Sequence, residues 1–452
     1  MKIIVLKQDK PLGYLTESTF DKVTFEYFED VIKERYLTGL KDSINYSTNG
    51  LFQIFKNLLP ENNQIDILKA QLKISSNIEL LLHLEDIHGS YSFLTEEQFS
   101  KSKLKVENVL YQYNDVENDI LQNNYNFPNI LDYKLNIAQD KLFPDNIVSS
   151  KVIGLSGFQY KFSIIKDDKN KQLIVDPTKL SEYFIKPFSI YNTTYKPHDK
   201  DRSYIPYLLI NEHLFMSIAR DIGFKVPYNA IIKDGKDYHY IIKRFDRYNG
   251  VKFDHEEFAT LLGYDSDTKY DPTLIQILKE ASEHVGIDSI EEILLFFFFS
   301  TVISHGDLHS KNISLIHASN NVEEQKRLLS PYYDISTTNI YKGLKDRDVG
   351  LKIKNKKIKI RKKDFIDIAK MFKIDEVAFE EKMKGIVLYF LDNFLNYVDK
   401  LGEDILSLPY YYGGYGSQKS FSAILQKYYT QRKDYVRKYI DNDWVVEDNI
   451  FS

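Results

Sequence analysis

The sequence predicts an α+β protein whose strands are concentrated in the first half of the chain and whose helices are concentrated in the second. Residues 2–6, 11–15 and 23–27 have the apolar or alternating patterns of short strands. From residue 256 onward helical patterns dominate, and residues 290–302 are hydrophobic nearly all round, as expected for a central buried helix. With 452 residues, the chain can form one large two-lobed domain or two to three smaller ones.

Composition limits the partners and the compartment. The net charge of −5 gives no global signature of nucleic-acid or membrane binding, so such a contact would have to be local. The chain has no cysteine, which excludes disulfides and cysteine-ligated zinc and is compatible with a reducing compartment. The apolar run at residues 3–6 is too brief for a signal peptide, and residues 293–303 are far fewer than the roughly 20 that span a bilayer. We therefore expect a cytoplasmic protein without membrane contact.

The segment S-H-G-D-L-H-S-K-N at residues 304–312 carries the strongest chemical signal. Asp307 and Asn312 have the spacing of the D-x-x-x-x-N loop in which kinases place a catalytic aspartate and a magnesium ligand. A second magnesium ligand is expected a few tens of residues later, where Asp334 lies in P-Y-Y-D-I-S-T-T. Phosphoryl transfer needs a carboxylate near the nucleophile, hard oxygen ligands for Mg²⁺ and cations on the phosphate oxygens.

An isolated polar residue after a buried helix is usually a cap or a satisfied polar group. That explanation accounts poorly for a dense group of four polar side chains, which are Asp307, His309, Lys311 and Asn312. The group and the downstream Asp334 together favour the kinase-type interpretation.

Two upstream segments fit a nucleotide-binding role. Residues 154–165 form a small-residue turn leading into a strand, and backbone N–H groups in such a turn can face phosphate oxygens, although most glycine turns are simple hairpins. Lys186 lies on a short predicted strand, where kinases hold a phosphate-binding lysine. The ordinary interpretation of Lys186 alone is a solvated lysine at a strand edge.

A helix and a strand complete this pattern. Glu212 lies on the predicted helix 205–222 and is a candidate partner for the strand lysine, although most helix glutamates are merely exposed. Residues 238–245 form an apolar strand running into R-F-D-R, where a hinge backbone could meet adenine. Asp246 and Arg247 are expected to form a local ion pair there.

Six motifs follow one another along the chain: S-G-F-Q-Y-K at residues 156–161, F-I-K-P, N-E, R-F-D-R, the Asp307 loop and residues 329–338. In this order they resemble the HipA-type serine/threonine kinases, the toxin components of bacterial toxin–antitoxin pairs. Residues 12–15, 55–61 and 89–93 also resemble the N-terminal subdomain of that family.

The resemblance implies a two-lobed, protein-kinase-like fold with a mixed α/β N-lobe, an extra N-terminal subdomain and an all-helical C-lobe. The expected boundaries are 1–110 for the N-terminal subdomain, 111–245 for the kinase N-lobe with phosphate loop and hinge, and 246–452 for the helical C-lobe with the catalytic loop. Residues 111–145 are rich in Asn and Asp and are expected to be connecting structure.

The resemblance also implies roles for individual residues. Asp307 would be the catalytic base, and Asn312 and Asp334 would be the Mg²⁺ ligands. Lys186 would hold the α- and β-phosphates of ATP. The full set implied in ATP binding is Ser156, Gly157, Phe158, Gln159, Tyr160, Lys161, Lys186, Lys243, Arg244, Phe245, His309, Lys311, Asn312, Tyr333 and Asp334, in which residues 243–245 would be the hinge.

The chain departs from the family pattern at several positions. Many relatives carry an inhibitory autophosphorylation serine where this chain has Gly154, so Ser156 is our candidate for that modification. Lys243 stands where an acidic residue is frequent, which a hinge acting through its backbone would tolerate. H-G-D-L-H-x-x-N is also the loop of aminoglycoside- and choline-type phosphotransferases.

The implied function is phosphorylation of a translation component, such as an aminoacyl-tRNA synthetase, that arrests growth. The implied partner is a HipB-like helix-turn-helix antitoxin, with DNA contacted only through it. Two alternatives stay open: a small-molecule phosphotransferase, and a catalytically silent co-repressor that binds an antitoxin. The N-terminal subdomain and the S-G-F-Q-Y-K turn count against the first alternative. The intact set of Asp307, Asn312, Lys186 and Asp334 counts against the second.

Overall fold

A computed structural model shows two large sheets followed by a mainly helical region. It describes residues 1–18, 21–60, 64–84, 86–102, 109–136, 161–176, 179–188, 204–235, 237–321, 323–324, 326–411 and 417–445. Within that part of the chain, no helix is both long and apolar enough to cross a membrane.

The first sheet, here called the N-terminal sheet, consists of five antiparallel strands. In spatial order they are Asn45–Asn49, Lys22–Tyr27, Lys10–Glu17, Lys2–Lys7 and Tyr91–Leu94. The three strands predicted near the N-terminus are thus confirmed. Short helices accompany the sheet at Gln53–Lys56, Gln64–Leu72, Asn77–His83 and Glu96–Lys101. Ser76 caps the third of these, since its hydroxyl accepts from the backbone N–H groups of Ile78 and Glu79 at 3.0 and 3.3 Å.

The second sheet, here called the central sheet, has seven strands. Their spatial order is Ile130–Leu131, Asn229–Asp234, Asp237–Lys243, Tyr183–Lys186, Phe162–Asp167, Gln172–Ile174 and Lys134–Asn136. Successive side chains of a strand point to opposite faces, and both faces are buried here. Ile185 and Ile241 join the core shared with the N-terminal sheet, whereas Phe184 and Ile242 join the core shared with the helical region. The central sheet therefore lies between two apolar cores.

The helix Leu208–Ile222 packs on the central sheet and confirms the helix predicted there. Every residue from Leu209 to Ala219 is buried, including Glu212. The helix ends at Gly223, whose φ of 115° lies in the left-handed region that glycine adopts without strain. Glu212 is thereby placed on a rigid, fully covered element.

The C-terminal region is mainly helical. Its α-helices are Phe258–Leu261, Leu274–Ser282, Ile287–Ile303, Lys362–Met371, Glu376–Lys400, Glu403–Leu406 and Phe421–Tyr435. A π-helix at Val436–Ile440 and short 3-10 helices at Lys342–Leu344 and Asn442–Trp444 accompany them. The predicted central helix is confirmed as Ile287–Ile303, where all residues from Phe296 to Ile303 are buried.

The expectation of an all-helical C-lobe is wrong in detail. A three-stranded sheet is formed by His255–Glu257, Ser314–His317 and Arg327–Leu329, and two small hairpins pair Arg247–Tyr248 with Val251–Lys252 and Pro409–Tyr411 with Gln418–Ser420. These strands have two to four residues, too few to show an alternating pattern in the sequence. All four residues of Ser314–His317 are buried, and strand pairing gives their backbone groups hydrogen-bond partners.

The expectation that residues 111–145 only connect larger elements is also wrong. The segment contains the helix Tyr113–Leu121, in which Tyr113, Val116 and Ile120 are buried. Their spacing places them on one helix face, while the Asn and Asp residues occupy the others. The polar composition concealed this apolar stripe.

Candidate active site

The segment 304–312 is held at the end of the central helix by close backbone packing. Ser304 ends the helix with a left-handed φ of 58°. A Cβ on Gly306 would lie 2.3 Å from the Thr338 hydroxyl oxygen, which already accepts the Gly306 N–H at 3.2 Å. A Cβ on Gly350 would lie 2.1 Å from the backbone oxygen of Leu308. Both glycines are therefore required by the close approach of neighbouring segments.

Asp307 is half-buried in this loop. The hydroxyl of Tyr270 donates a hydrogen bond to Asp307 Oδ1. Burial raises the pKa of Asp307 above its ordinary value, and the Tyr270 hydrogen bond opposes that rise. The backbone N–H of His309 donates to Asn312 Oδ1 at 2.9 Å, which fixes the turn between the two predicted functional residues.

Four charged side chains, Lys161, Lys186, Glu212 and Asp334, form what we call the lysine cluster. Lys186 Nζ donates to both carboxylate oxygens of Glu212, at 2.7 and 2.6 Å, and to Asp334 Oδ1 at 2.5 Å. Lys161 Nζ lies 3.6 Å from Asp334 Oδ2. The predicted pairing of Glu212 with the strand lysine is confirmed.

The charges of the lysine cluster stabilise one another. Burial by itself would lower the pKa of Lys186, but the carboxylates of Asp334 and Glu212 raise it above its ordinary value. Burial would likewise raise the pKa of Asp334, yet the ammonium groups of Lys161 and Lys186 hold it well below its usual range. Burial raises the pKa of Glu212 to about 6. Glu212 is therefore the member of the cluster that gains a proton most easily.

Asp334 and Asn312 have the ligand chemistry that Mg²⁺ prefers. Asn312 Nδ2 donates to Asp334 Oδ2 at 3.3 Å, so the two oxygen-bearing side chains touch. Asp334 has a φ of 62°, a conformation that costs free energy for a residue with a side chain and that often occurs at functional sites. In a Mg²⁺ site Asp334 would supply a carboxylate oxygen. Asn312 would supply its amide oxygen after a turn of the amide group, because its Nδ2 faces Asp334 and its Oδ1 accepts from His309.

A cleft between the central sheet and the helical region contains the lysine cluster. It is lined by His88, Lys161, Phe184, Lys186, Glu212, Ile242, Lys243, Arg244, Phe245, Asp246, His255, Tyr333 and Asp334. The lining combines apolar and aromatic side chains with charged ones, as a nucleotide with a flat base and a charged tail would require. His88 lies between the helix Asn77–His83 and the strand Tyr91–Leu94.

The backbone at residues 243–245 has fewer N–H groups available for adenine than the predicted hinge requires. The backbone N–H of Lys243 donates to Tyr228 O and that of Arg244 to Glu182 O, each at 2.7 Å. The Lys243 ammonium pairs with Asp119 and lies 3.6 Å from Glu182. A base bound beside this segment would therefore have to use other backbone groups.

Beside the cleft lies a second group of buried charges, Asp86, Arg244, Asp246 and Arg247, which we call the arginine cluster. Arg244 Nε and Nη2 donate to the two oxygens of Asp246, each at 2.9 Å, and Arg244 Nη1 lies 3.0 Å from Asp86 Oδ1. Arg247 Nη2 donates to Asp86 Oδ1 at 3.1 Å and to the backbone oxygen of Ile87 at 2.6 Å. The expected Asp246–Arg247 pair is present at 3.1 Å, but it is part of a larger network.

Further hydrogen bonds complete the arginine cluster. Ser163 donates to Asp86 Oδ2 at 2.8 Å, and Ser181 donates to the same oxygen. The N–H of Gly89 donates to Asp246 Oδ2 at 2.8 Å. Burial opposes ionisation of Asp86 and Asp246, but the two arginines hold the pKa of each carboxyl well below its usual range. The guanidinium of Arg244 is thus engaged within the protein.

The remaining predicted residues have different placements. Residues 156–160, with the Ser156 candidate and its neighbours Gly157, Phe158, Gln159 and Tyr160, lie outside the described part of the chain. Lys311 is buried, with its ammonium 3.6 Å from Glu257 and donating to Ser266 at 3.2 Å, and it does not line the cleft. Tyr333 lines the cleft, and its hydroxyl donates to Lys311 O at 2.7 Å.

Sequence reasoning missed Tyr270, Asp86 and His88. Tyr270 belongs to no motif, and only the fold brings it to Asp307, 37 positions later in the chain. Asp86 and His88 directly precede the G-S-Y-S-F segment, so the local signal was present without any indication of its partners.

Comparison with known proteins covers both parts of the chain. A family model described as the HipA-like C-terminal domain matches residues 153–394, more than half of the chain, and one described as the HipA N-terminal domain matches residues 3–87. A HipA chain of Shewanella oneidensis, solved with HipB and its operator DNA, has the same fold. The TM-score is 0.67 at 17% identity, and the match covers 99% of this chain and 100% of that one.

Two curated relatives match a smaller part. A protein of Haemophilus influenzae, provisionally named a kinase, is 25% identical over 206 residues, which is 42% of this chain and 54% of the relative. A protein of Sinorhizobium fredii with a similar name is 29% identical over 202 residues, 41% of this chain and 44% of the relative. The aligned part therefore spans about half the length of the curated relatives.

Proposed function

Because the chain belongs to the HipA family, we propose that it transfers the γ-phosphoryl group of ATP to a serine or threonine hydroxyl of another protein. The observation that carries this proposal is the lysine cluster: a buried lysine lies between a helix glutamate and an aspartate that touches Asn312. Kinases use the same set of groups to hold phosphates and magnesium.

Each residue would have a separate task. Asp307, whose pKa is raised by burial, would accept the proton of the acceptor hydroxyl as that oxygen attacks. Lys186 and Lys161 would exchange part of their pairing with Asp334 for contacts with phosphate oxygens. When held by Asn312 and Asp334, Mg²⁺ would neutralise charge on the transferring phosphate. The aromatic walls, which include Phe245 and Tyr333, would cover the base.

The test is phosphate transfer from labelled ATP, with Mg²⁺, into a lysate of the source cells. The purified protein and its Asp307→Asn variant are compared, and labelled sites are mapped. A discrete labelled protein that requires Asp307 supports a protein kinase and identifies its substrate. Label found only in small molecules contradicts the proposal in favour of a small-molecule phosphotransferase, and ATP binding without transfer contradicts it in favour of a silent co-repressor.

For the substrate, we propose a translation component such as an aminoacyl-tRNA synthetase, on the basis of the family resemblance. Phosphorylation of such a target would arrest growth, in the cytoplasm where translation takes place. Expression of the protein should then stop translation in growing cells, and Asp307→Asn should relieve the arrest. Equal growth arrest by both proteins would exclude phosphorylation as its cause.

For the partner, we propose a HipB-like helix-turn-helix antitoxin, through which the chain would be held on DNA. The chain's net charge of −5 fits indirect rather than direct DNA contact. Retention of operator DNA by this chain should require a HipB-like helix-turn-helix protein. DNA binding by the chain alone would contradict this arrangement.

A further inference from the structure

Tyr270 places its hydroxyl where the acceptor of a phosphoryl group has to bind. That hydroxyl donates a hydrogen bond to Asp307 Oδ1. The Tyr270 ring also lies edge-on to His309 of the same loop, with 5.2 Å between the ring centroids. In the proposed reaction the acceptor hydroxyl makes this same hydrogen bond to the catalytic base before it loses its proton. The phenol therefore occupies the position of an acceptor.

The surroundings of Tyr270 favour a negatively charged product. The cationic groups of Lys269, Arg347 and Lys357 lie 5.7, 5.8 and 5.6 Å from its ring centroid. Lys357 Nζ also donates to the Tyr270 backbone oxygen at 3.4 Å. Burial lowers the pKa of Lys357, and the like charges of Arg347 and Lys352 lower it further. Several cations are thus concentrated around one tyrosine.

Acidic groups also lie near Tyr270 and reduce the net positive charge around it. Asp346 pairs with Arg347, each of two nitrogen–oxygen contacts being 3.0 Å, and Asp271 contributes a further negative field at Lys357. Asp307 itself is the third carboxylate. A phosphate on the phenol would be repelled by Asp307 and attracted by the surrounding cations, so it would favour a position on their side of the ring.

We propose that Tyr270 is an internal acceptor, so that this chain phosphorylates its own Tyr270. The inference rests on the proposed function, which supplies ATP. The phenol oxygen forms a bond to the γ-phosphorus while its proton passes to Asp307. The bond from that phosphorus to the bridging oxygen of ATP breaks, and ADP leaves. The product is phosphorylated Tyr270, whose dianion is held by Lys269, Arg347 and Lys357.

The modification is distinct from the serine candidate at Ser156. A tyrosine acceptor yields a phosphate ester on an aromatic oxygen, which site mapping separates from a phosphoserine without ambiguity. Because Tyr270 and Asp307 are in one chain and already in contact, the transfer is intramolecular.

The experiment follows phosphate on the full-length protein after phosphatase treatment and addition of ATP with Mg²⁺. Intact-mass measurement counts the phosphates, and peptide mapping locates them. Four proteins are compared: the unaltered chain, Tyr270→Phe, Asp307→Asn and the control Tyr264→Phe, which removes a nearby phenol that bonds to Gln276 rather than to Asp307. Phosphate at Tyr270 is expected in the unaltered chain and the control, at a rate independent of protein concentration. We expect at least a tenfold loss of this label in Asp307→Asn.

Three outcomes overturn the inference. Phosphate on Ser156 or on an external protein, with Tyr270 unmodified, rejects Tyr270 as an acceptor while the proposed kinase activity stands. Labelling of Tyr270 in the Asp307→Asn chain when it is mixed with unaltered protein rejects the intramolecular route. Absence of transfer to any acceptor, in a protein that binds ATP, rejects the proposed function and the inference together. Mapping in the unaltered chain decides the matter even if Tyr270→Phe folds poorly.

Discussion

The arginine cluster and the lysine cluster lie beside the same cleft, and each combines two basic residues with two carboxylates, yet they hold their charges in different ways. In the arginine cluster the guanidinium groups make paired hydrogen bonds to Asp86 and Asp246 and also bind the backbone oxygens of Ile87 and Gly89. Planar guanidinium groups suit such paired geometry, so most of their donors have partners inside the protein.

The contacts of the lysine cluster are uneven, because Lys186 Nζ lies 2.5–2.7 Å from its carboxylate oxygens while other contacts at Asp334 are long. Lys161 lies 3.6 Å from Asp334, and the Asn312 contact to Asp334 is 3.3 Å. Asp334 has a left-handed backbone and a side chain that is 20% exposed, whereas the Asp86 side chain is 2% exposed. Buried charges whose hydrogen bonds are made within the protein stabilise the fold, whereas Asp334, partly exposed and with two long contacts, can exchange partners at the cleft.

The largest effect should come from breaking the arginine cluster. Asp246→Ala leaves two buried arginines short of a carboxylate, and we expect a loss of about 3–5 kcal/mol in the free energy of unfolding. Urea unfolding followed by circular dichroism measures it. Asp404→Ala, at an exposed pair with Lys233, is the control and should leave the unfolding midpoint unchanged. Equal midpoints for the two variants would refute the structural role of the arginine cluster.

Breaking the lysine cluster should affect turnover more than stability. Lys186→Met is expected to reduce kcat by roughly 10²–10³-fold, because a positioned cation on the phosphates is lost. Stability should fall less than in Asp246→Ala, since Glu212, with a pKa already near 6, can take up a proton. Labelled-ATP kinetics and urea unfolding are measured on both proteins. Lys166→Met, on a neighbouring strand and paired with Asp168, is the control, and a similar kcat for both lysine variants would contradict the assignment.

The lysine cluster and the arginine cluster should also lose their effects in different pH ranges. Protonation of Glu212 weakens its hold on Lys186, so kcat/KM should fall about tenfold per pH unit as pH falls below about 6. A carboxyl with a raised pKa binds its proton more readily in the folded state, so Glu212 itself favours folding as pH falls from about 6 to 4.5. Asp86 and Asp246 have depressed pKa values, so their stabilisation is complete above about pH 4 and is lost as pH falls further.

The expected result is a pH range in which activity is lost and the fold persists. Kinetics and circular dichroism at matched pH values test this range. If activity and helical signal disappeared at the same pH, Glu212 would not control the loss of activity.

The smallest effect should come from one supporting hydrogen bond. Ser163→Ala removes a donor to Asp86, and about 1–2 kcal/mol of unfolding free energy should be lost without a change in kcat. Ser100→Ala, which alters an exposed hydroxyl on Glu96–Lys101, is the matched control and should leave both quantities unchanged. A drop in kcat for Ser163→Ala would show that the arginine cluster acts on the active site as well as on the fold.

Local patterns predicted much of this fold and part of the site. The strand with Lys186, the helix with Glu212 and the loop from Asp307 to Asn312 could be found because spacing within a few residues determines them. The prediction that these three elements meet near Asp334 came from the resemblance of their motifs to those of kinases. The domain boundaries at 110 and 245 and the role of Ser156 stay predictions.

Long-range contacts made by single residues could not be predicted. Asp86 meets Arg247 across 161 positions, and no composition or period at residue 86 indicates a basic partner. Tyr270 reaches Asp307 only because the folded chain brings two loops together. The small sheet around Ser314–His317 was missed for a related reason, since a buried strand of four residues has no distinctive alternation.

The contact between residues 86–89 and residues 244–247 limits which segments related proteins can exchange by recombination. The two segments are far apart in the sequence but share buried charges. A recombinant that takes the first segment from one relative and the second from another would pair the arginines with carboxylate and backbone oxygens that did not evolve with them. A hybrid that folds should take both segments from the same parent, or should keep Asp86 and the backbone turn through Gly89 with the arginines. The N-terminal region would then be inherited together with the region that contains residues 244–247 and would not be exchanged separately.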